Sequence, residues 1–236
     1  MNNTVDVSSV RVCRKSGETT FTMTMGLRVS RQTTLELPNK ILSHLLDHFS
    51  KASRLALQFV ETSWPGSWQL DHVLCEDMGQ LVGRGIAAIH DDLAARGGVV
   101  GRARSKVCMD DALAEVVLSF EGRPRAEWII ADGLAIDGFV DAWYGDDGCV
   151  AGWSSGTNLR QFVDGLALGS GATVVVRVEE AGNLHHLYEA VFRALGEAIG
   201  ESLGLTSTVA CLPGDTSGLA GTPVYTVEKL DTVSGQ

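Results

Sequence analysis

The chain lacks a basic excess. Its 19 Lys and Arg stand against 29 Asp and Glu, giving a formal net charge of −10 and a pI near 5.0. Neutralising phosphates requires a basic face, so nucleic acid is not an expected partner. No stretch approaches the roughly 20 apolar residues of a membrane helix. The opening residues, MNNTVDVSSVRVCRKSG, have no apolar core of the kind a secretory signal carries. No membrane association and a cytoplasmic location are expected. Cysteine is sparse: Cys13, Cys75, Cys108, Cys149 and Cys211 are odd in number and form no CxxC pair. This argues against a disulfide framework or a thiolate zinc site. Cys75 reads as a small buried hydrophobe. Histidine is scarce too, at six residues: His44, His48, His72, His90, His185 and His186. What remains is ordinary globular composition, 44% hydrophobic and 20% charged, with enough apolar content for a core.

The pattern along the chain alternates strands and helices. Residues 19–29 alternate as a strand, and TTLELP (33–38) reads as a second. From Asn39, the residues Ile41, Leu42, Leu45, Leu46 and Phe49 recur at helical spacing. Residues 55–62 form a strand, and 71–95 a long helix ended by Gly97-Gly98. A second series follows: strands at 103–109, 112–122 and 125–130, a Gly/Asp-rich loop over 132–156 with a short ordered element near 139–144, a helix at 157–168, a strand at 172–180 and a helix at 183–203. The tail from 205 to 236 has no periodicity and is expected to fray.

The two series match residue by residue. Aligning Glu76 with Glu189 places His72 on His185, Gly83 on Gly196 and Ile86 on Ile199. An internal duplication follows, with half-repeats at 10–98 and 99–204. Strand runs alternating with helices imply an α+β fold in which helices cover one face of each sheet.

The few histidines gain meaning from this repeat. His72 and Glu76 are four apart on a helix, as are His185 and Glu189. That spacing stacks an imidazole and a carboxylate on one face, where they form an ion pair or share a divalent metal. His186 adds a donor rotated by about 100°, and His44 sits on the preceding helix of the first half. Imidazole and carboxylate without thiolate suit manganese, iron or zinc, and more than one His per carboxylate argues against calcium or magnesium alone. His48 and His90 have no such context and read as surface residues.

Five stretches together resemble the imidazoleglycerol-phosphate dehydratase family: GETTFTMTM (17–25), ILSHLLDHF (41–49), DHVLCEDMG (71–79), VCMDDALAEVVLSFEGRP (107–124) and LHHLYEAVFRALGEAI (184–199). The resemblance spans about residues 10–204. It implies an internally duplicated two-half α/β sandwich of the ribosomal S5 domain 2-like kind. It also implies a metal-dependent, dehydratase-like lyase acting on a small azole-bearing substrate, and a large homo-oligomer built from trimers with two manganese ions at subunit interfaces. By position, one site takes His44, His185 and Glu189, and the other His72, Glu76 and His186. Glu18 matches the family's acid–base Glu, Asp110 its acidic residue after Met, and Arg123 the Arg of Gly-Arg-Pro that helps hold phosphate. Arg102 and Arg104 are candidates for a second phosphate arginine. Thr222 stands near where the family has a phosphate-gripping Ser-Thr-Lys-Gly.

The departures are specific. Val73 stands where the family has a second His, Gln161 where it has a further ligand His, and no Ser-Thr-Lys-Gly is present. The 132–156 stretch is also longer than the family's. These features point to a divergent paralogue acting as a lyase or isomerase on a related azole in a specialised pathway. The alternatives are a catalytically silent structural paralogue and an authentic imidazoleglycerol-phosphate dehydratase. Trp64-Pro65-Gly66, Trp143 and Trp153 either line an altered pocket or fill the core or a subunit interface.

Overall fold

A computed structural model describes residues 9–17, 19–27, 33–35, 37, 39–63, 71–143 and 150–205. The first series runs β1 (Val10–Lys15), β2 (Thr20–Leu27), α1 (Lys40–Ser53), β3 (Leu55–Ser63) and α2 (Asp71–Ala95). The second runs β4 (Arg102–Met109), β5 (Ala112–Ser119), β6 (Arg125–Ile130), β7 (Phe139–Trp143), β8 (Val150–Ser155), α3 (Gly156–Ser170), β9 (Thr173–Ala181) and α4 (Leu184–Ser202). The fold is α+β, and each series ends in helix, strand, helix.

β1, β2 and β3 form an antiparallel sheet in that order. β4, β5, β9 and β6 form the second sheet, in which β6 runs parallel to β9. The first half keeps a trace of the β6 strand. TTLELP, expected as a strand, makes a single parallel bridge, Thr34 to Gln58 on β3. Residues 36 and 38 of that stretch lie outside the described residues. The opening strand β1, which sequence patterning did not pick out, pairs along its whole length with β2.

The helices lie between the sheets. α2 packs on β1 and β2 and α1 on β3, while α4 packs on β4 and β5 and α3 on β6. Across the middle, α1 packs on α4 and α2 on α3. The two contacts are equivalent under the duplication, in which α1 corresponds to α3 and α2 to α4. Apolar stripes seal the contacts: Leu45, Phe49, Phe162 and Phe192 are fully buried, and the Phe162 and Phe192 rings stack at 5.0 Å. Small residues set the spacing of α2 and α3. A Cβ on Gly79 would lie 2.1 Å from the Phe162 carbonyl oxygen, and one on Gly169 would lie 2.3 Å from that of Gln80.

Side chains fix the helix starts. Asn39, Ser155 and Asn183 accept from backbone N–H groups in the first turns of α1, α3 and α4. Asp71, the first residue of α2, then ties the starts of α1 and α3 together. It accepts from Asn39, from Ser154 Oγ at 2.5 Å and from Asn158 Nδ2 at 2.8 Å. The 132–156 stretch is more ordered than its Gly/Asp content suggested: β7 and β8 pair as an antiparallel hairpin that rests on α1 and α4. Its base is pinned by the Tyr188 hydroxyl, which hydrogen-bonds the carbonyls of Ile136 and Gly156 at 3.0 and 2.9 Å. Among the described residues no helix is long and apolar enough to cross a membrane.

Candidate metal centre

The packing of α1 on α4 brings His44, His185 and Glu189 together, with one ligand atom of each within 4.8 Å of the others. His44 Nε2 lies 2.6 Å and His185 Nε2 3.3 Å from Glu189 Oε1. The His44 and His185 ring centroids are 5.1 Å apart. Glu189 is only 4% exposed, and its second oxygen, Oε2, is buried without a hydrogen-bond partner. A buried carboxylate oxygen left unpaired is costly unless something cationic answers it. Two imidazoles, one carboxylate and that orphaned oxygen fit a borderline divalent cation.

Burial pushes the Glu189 carboxyl up, but hydrogen bonds from His185, His44 and His48 outweigh it and hold the group far below the usual carboxylate range. The hydrogen bonds thus favour the anionic form of Glu189, the form a metal needs.

His48 corrects an expectation. It is not a surface residue: its exposure is 2%, and its Nε2 lies 3.0 Å from Glu189 Oε1. It falls one turn after His44 on the face that packs on α4, which the i, i+4 rule makes legible once the partner helix is known. Burial lowers its imidazole from the ordinary value, against the hydrogen bond and charge of Glu189 and with a further lowering from Arg193.

The second expected donor set is not assembled inside one chain. His72 and Glu76 are exposed on α2, and Glu76 accepts from Gln80 Nε2 at 3.0 Å. His186 points elsewhere: its Nδ1 lies 2.8 Å from Asp111 Oδ1 and its Nε2 3.4 Å from Asp110 Oδ2, at the turn joining β4 to β5. The His186 hydrogen bond in turn lowers the Asp111 carboxyl. Instead of His186, the packing of α3 on α2 brings Gln161 level with the His72–Glu76 turn, because Gly165, one turn later, meets the Glu76 carbonyl. Gln161 Oε1 is buried and without a hydrogen-bond partner.

The arginines expected at phosphate do not join the His44 cluster within the chain. Ser105 on β4 donates to Glu197 of α4 at 2.5 Å. Strand alternation therefore points Arg102 and Arg104 to the opposite sheet face, where Arg104 pairs with Glu115. Arg123 is exposed, and its carbonyl accepts from Thr173 Oγ1 at 2.8 Å, at the start of β9. His185 follows the other end of that strand, roughly 25 Å away at ~3.3 Å per residue. Asp110, by contrast, is at the near end, and its φ of 48° places it in a left-handed turn beside His186. Glu18, Thr222 and Trp64-Pro65-Gly66 lie outside the described residues. Trp143 and Trp153 fall on β7 and β8, with side chains outside the described set.

Fold and site together define a class: a twice-repeated α+β protein whose paired helices present an imidazole–carboxylate donor set between two sheets. The model of the family described as imidazoleglycerol-phosphate dehydratase matches residues 38–199, and the chain belongs to that family. Proteins named imidazoleglycerol-phosphate dehydratase from Geobacillus kaustophilus and Deinococcus radiodurans are each 30% identical to it, over 203 and 197 residues. The aligned parts cover 86% and 83% of this chain and 94% and 92% of those proteins. The fold is similar to that of crystallised imidazoleglycerol-phosphate dehydratases. The Staphylococcus aureus structure gives a TM-score of 0.62 at 19% identity, covering 83% of this chain and 98% of that one. The Pyrococcus furiosus structure gives 0.62 at 22% identity, covering 89% and 99%.

Proposed function

We propose that this chain is a metal-dependent dehydratase that acts on an azole ring carried by a small polar substrate. The observation that carries the reading is the convergence of His44, His185 and Glu189 around a buried, unpartnered carboxylate oxygen. These three residues would hold a divalent cation, manganese first, with iron or zinc as alternatives. A bound cation of this kind acts as a Lewis acid toward a ring nitrogen and acidifies the ring. The chain supplies proton carriers, Asp110 of the β4–β5 turn beside His186 and, by the resemblance alone, Glu18, a type of help worth about 10²–10⁴-fold. A large homo-oligomer built from trimers is part of the proposal, since the His72 and Glu76 set lacks His186 within one chain.

Imidazoleglycerol phosphate is the first substrate of this class to test, because the match to proteins named for its dehydration covers nearly their whole length. The specific observation favouring a different azole is the pair Val73 and Gln161, together with the absence of Ser-Thr-Lys-Gly.

Purified protein is analysed for metal, then assayed with imidazoleglycerol phosphate and by complementation of an auxotroph lacking the dehydratase. Metal bound and lost in His185→Ala supports the centre. Turnover with complementation assigns the histidine-pathway substrate; bound metal with neither assigns another azole. Protein without metal and without turnover overturns the proposal in favour of a silent paralogue. Sedimentation velocity reads the oligomer.

A further inference from the structure

We infer that His48, backed by Arg193, is a positioning residue that aims the Glu189 carboxylate at the metal and is not itself a ligand. The inference rests on reading His44, His185 and Glu189 as the metal-binding set. His48 is buried at the contact of α1 and α4, between two partners. Arg193 Nε lies 3.1 Å from His48 Nδ1, and Glu189 Oε1 lies 3.0 Å from His48 Nε2. A guanidinium N–H only donates, so Nδ1 is the acceptor and carries no proton. The ring proton of the neutral imidazole then sits on Nε2 and is given to Glu189. With its proton on Nε2 and its Nδ1 lone pair turned to Arg193, His48 has no lone pair to offer a cation. Its effect passes through Glu189, as outer hydrogen bonds on metal ligands do.

The equivalent contact of α2 and α3 shows that this support is particular to one centre. Aligning the left-handed C-caps, Arg54 after α1 and Gly171 after α3, sets His44 on Gln161 and His48 on Gly165. Aligning Glu76 with Glu189 sets Gln80 on Arg193. At the contact of α2 and α3 no side chain fits at Gly165, since a Cβ there would lie 2.3 Å from the Glu76 carbonyl oxygen. Glu76 is held directly by Gln80, at 3.0 Å on an exposed helix face. At the contact of α1 and α4 the histidine is interposed, the carboxylate is buried, and the i+4 residue acts through the ring. The complete donor set and the relay thus occur together.

Two measurements test this. The first is manganese and zinc affinity by titration calorimetry for the full chain and for His48→Phe, His48→Gln and Arg193→Met. His48→Phe is expected to weaken binding about 10–100-fold without changing stoichiometry. His48→Gln, whose amide still donates, is expected to recover most of the loss, and Arg193→Met to fall between. Unchanged affinity in His48→Phe overturns the inference. So does loss of a ligand-sized increment in both His48 variants, which would make His48 a ligand. The second is a magic-angle-spinning spectrum of metal-free, nitrogen-15 histidine-labelled protein. His48 is expected as the Nε2–H tautomer, with the preference lost in Arg193→Met; an Nδ1–H tautomer overturns the relay. If the unmodified chain binds no metal, the metal reading falls by itself, and the tautomer still decides the hydrogen bond between His48 and Glu189.

Discussion

Gly165 of α3 and Glu76 of α2 meet backbone to backbone: a Cβ on Gly165 would come within 2.3 Å of the Glu76 carbonyl oxygen. The same carbonyl belongs to a residue of the second donor set, so helix spacing and site geometry are one feature. Gly165→Ala is expected to push α3 away from α2. Overpacking of this kind costs about 1–3 kcal/mol, or roughly 2–12 °C in melting temperature for a domain of this size. Gly98→Ala, where the nearest atom to a Cβ is 3.7 Å away, is the control and should stay within about 0.5 kcal/mol. Thermal melts of both variants check it, and equal melting temperatures would contradict the contact.

Arg14 on β1 grips Asp77 on α2 with both nitrogens, at 2.6 Å each, and the Thr19 hydroxyl donates to the same carboxylate. Asp77 is 4% exposed. Removing one partner leaves the other charge stranded in a poorly hydrated place, so Arg14→Met is expected to cost roughly 3 kcal/mol. The double variant Arg14→Met, Asp77→Leu should recover part of that loss, because no unpaired charge remains. Urea unfolding of the two single variants and the double variant gives the coupling energy, and strict additivity would count against the pair.

Gln161 occupies the place of His44 in the other half, with its Oε1 buried and unpartnered beside the His72–Glu76 turn. Gln161→His is expected to raise the metal bound per chain, and His44→Ala to lower it. Metal that binds the folded state alone stabilises it by about 2.7 kcal/mol at a hundredfold excess over Kd. Chelation should therefore lower the melting temperature of the parent chain and leave that of His44→Ala unmoved. Elemental analysis and melts with and without chelator read both effects.

Cys75 is fully buried, and burial pushes its thiol well above the ordinary thiol range, helped by the charge of Asp71 and opposed by a hydrogen bond from Ser154. Below that range folded and unfolded chains both hold the proton. Above it the unfolded thiol ionises while the folded one does not, so this contribution to stability is lost as pH rises. Alkylation at mildly alkaline pH should label exposed Cys13 and Cys108 first and reach Cys75 only on unfolding. Peptide mass mapping over time reads the order, and early labelling of Cys75 would refute its burial.

Periodicity alone located most of the helices and strands, because an apolar stripe facing a core repeats whatever the partner is. α2 matched at both ends, 71 to 95, and β6 at 125 to 130. β1 was not legible, since VRVCRK is a short edge strand whose charges fall on both faces, Arg11 and Lys15 outward and Arg14 inward against Asp77. The hairpin of β7 and β8 was hidden by its Gly and Asp content. It is held by contacts with Asp71 and Tyr188, which lie far from it in sequence.

The sequence by itself determined the duplication, the helical faces and the pairing of His185 with Glu189, because each depends on spacing within one element. Tertiary structure decided which residues share a site. His44 reached Glu189 across 145 residues because α1 packs on α4. His48 became part of the same cluster for the same reason, and His186 was drawn to Asp110 and Asp111 instead of to His72. Spacing along a helix fixes direction, whereas the packing of two helices fixes what lies in that direction.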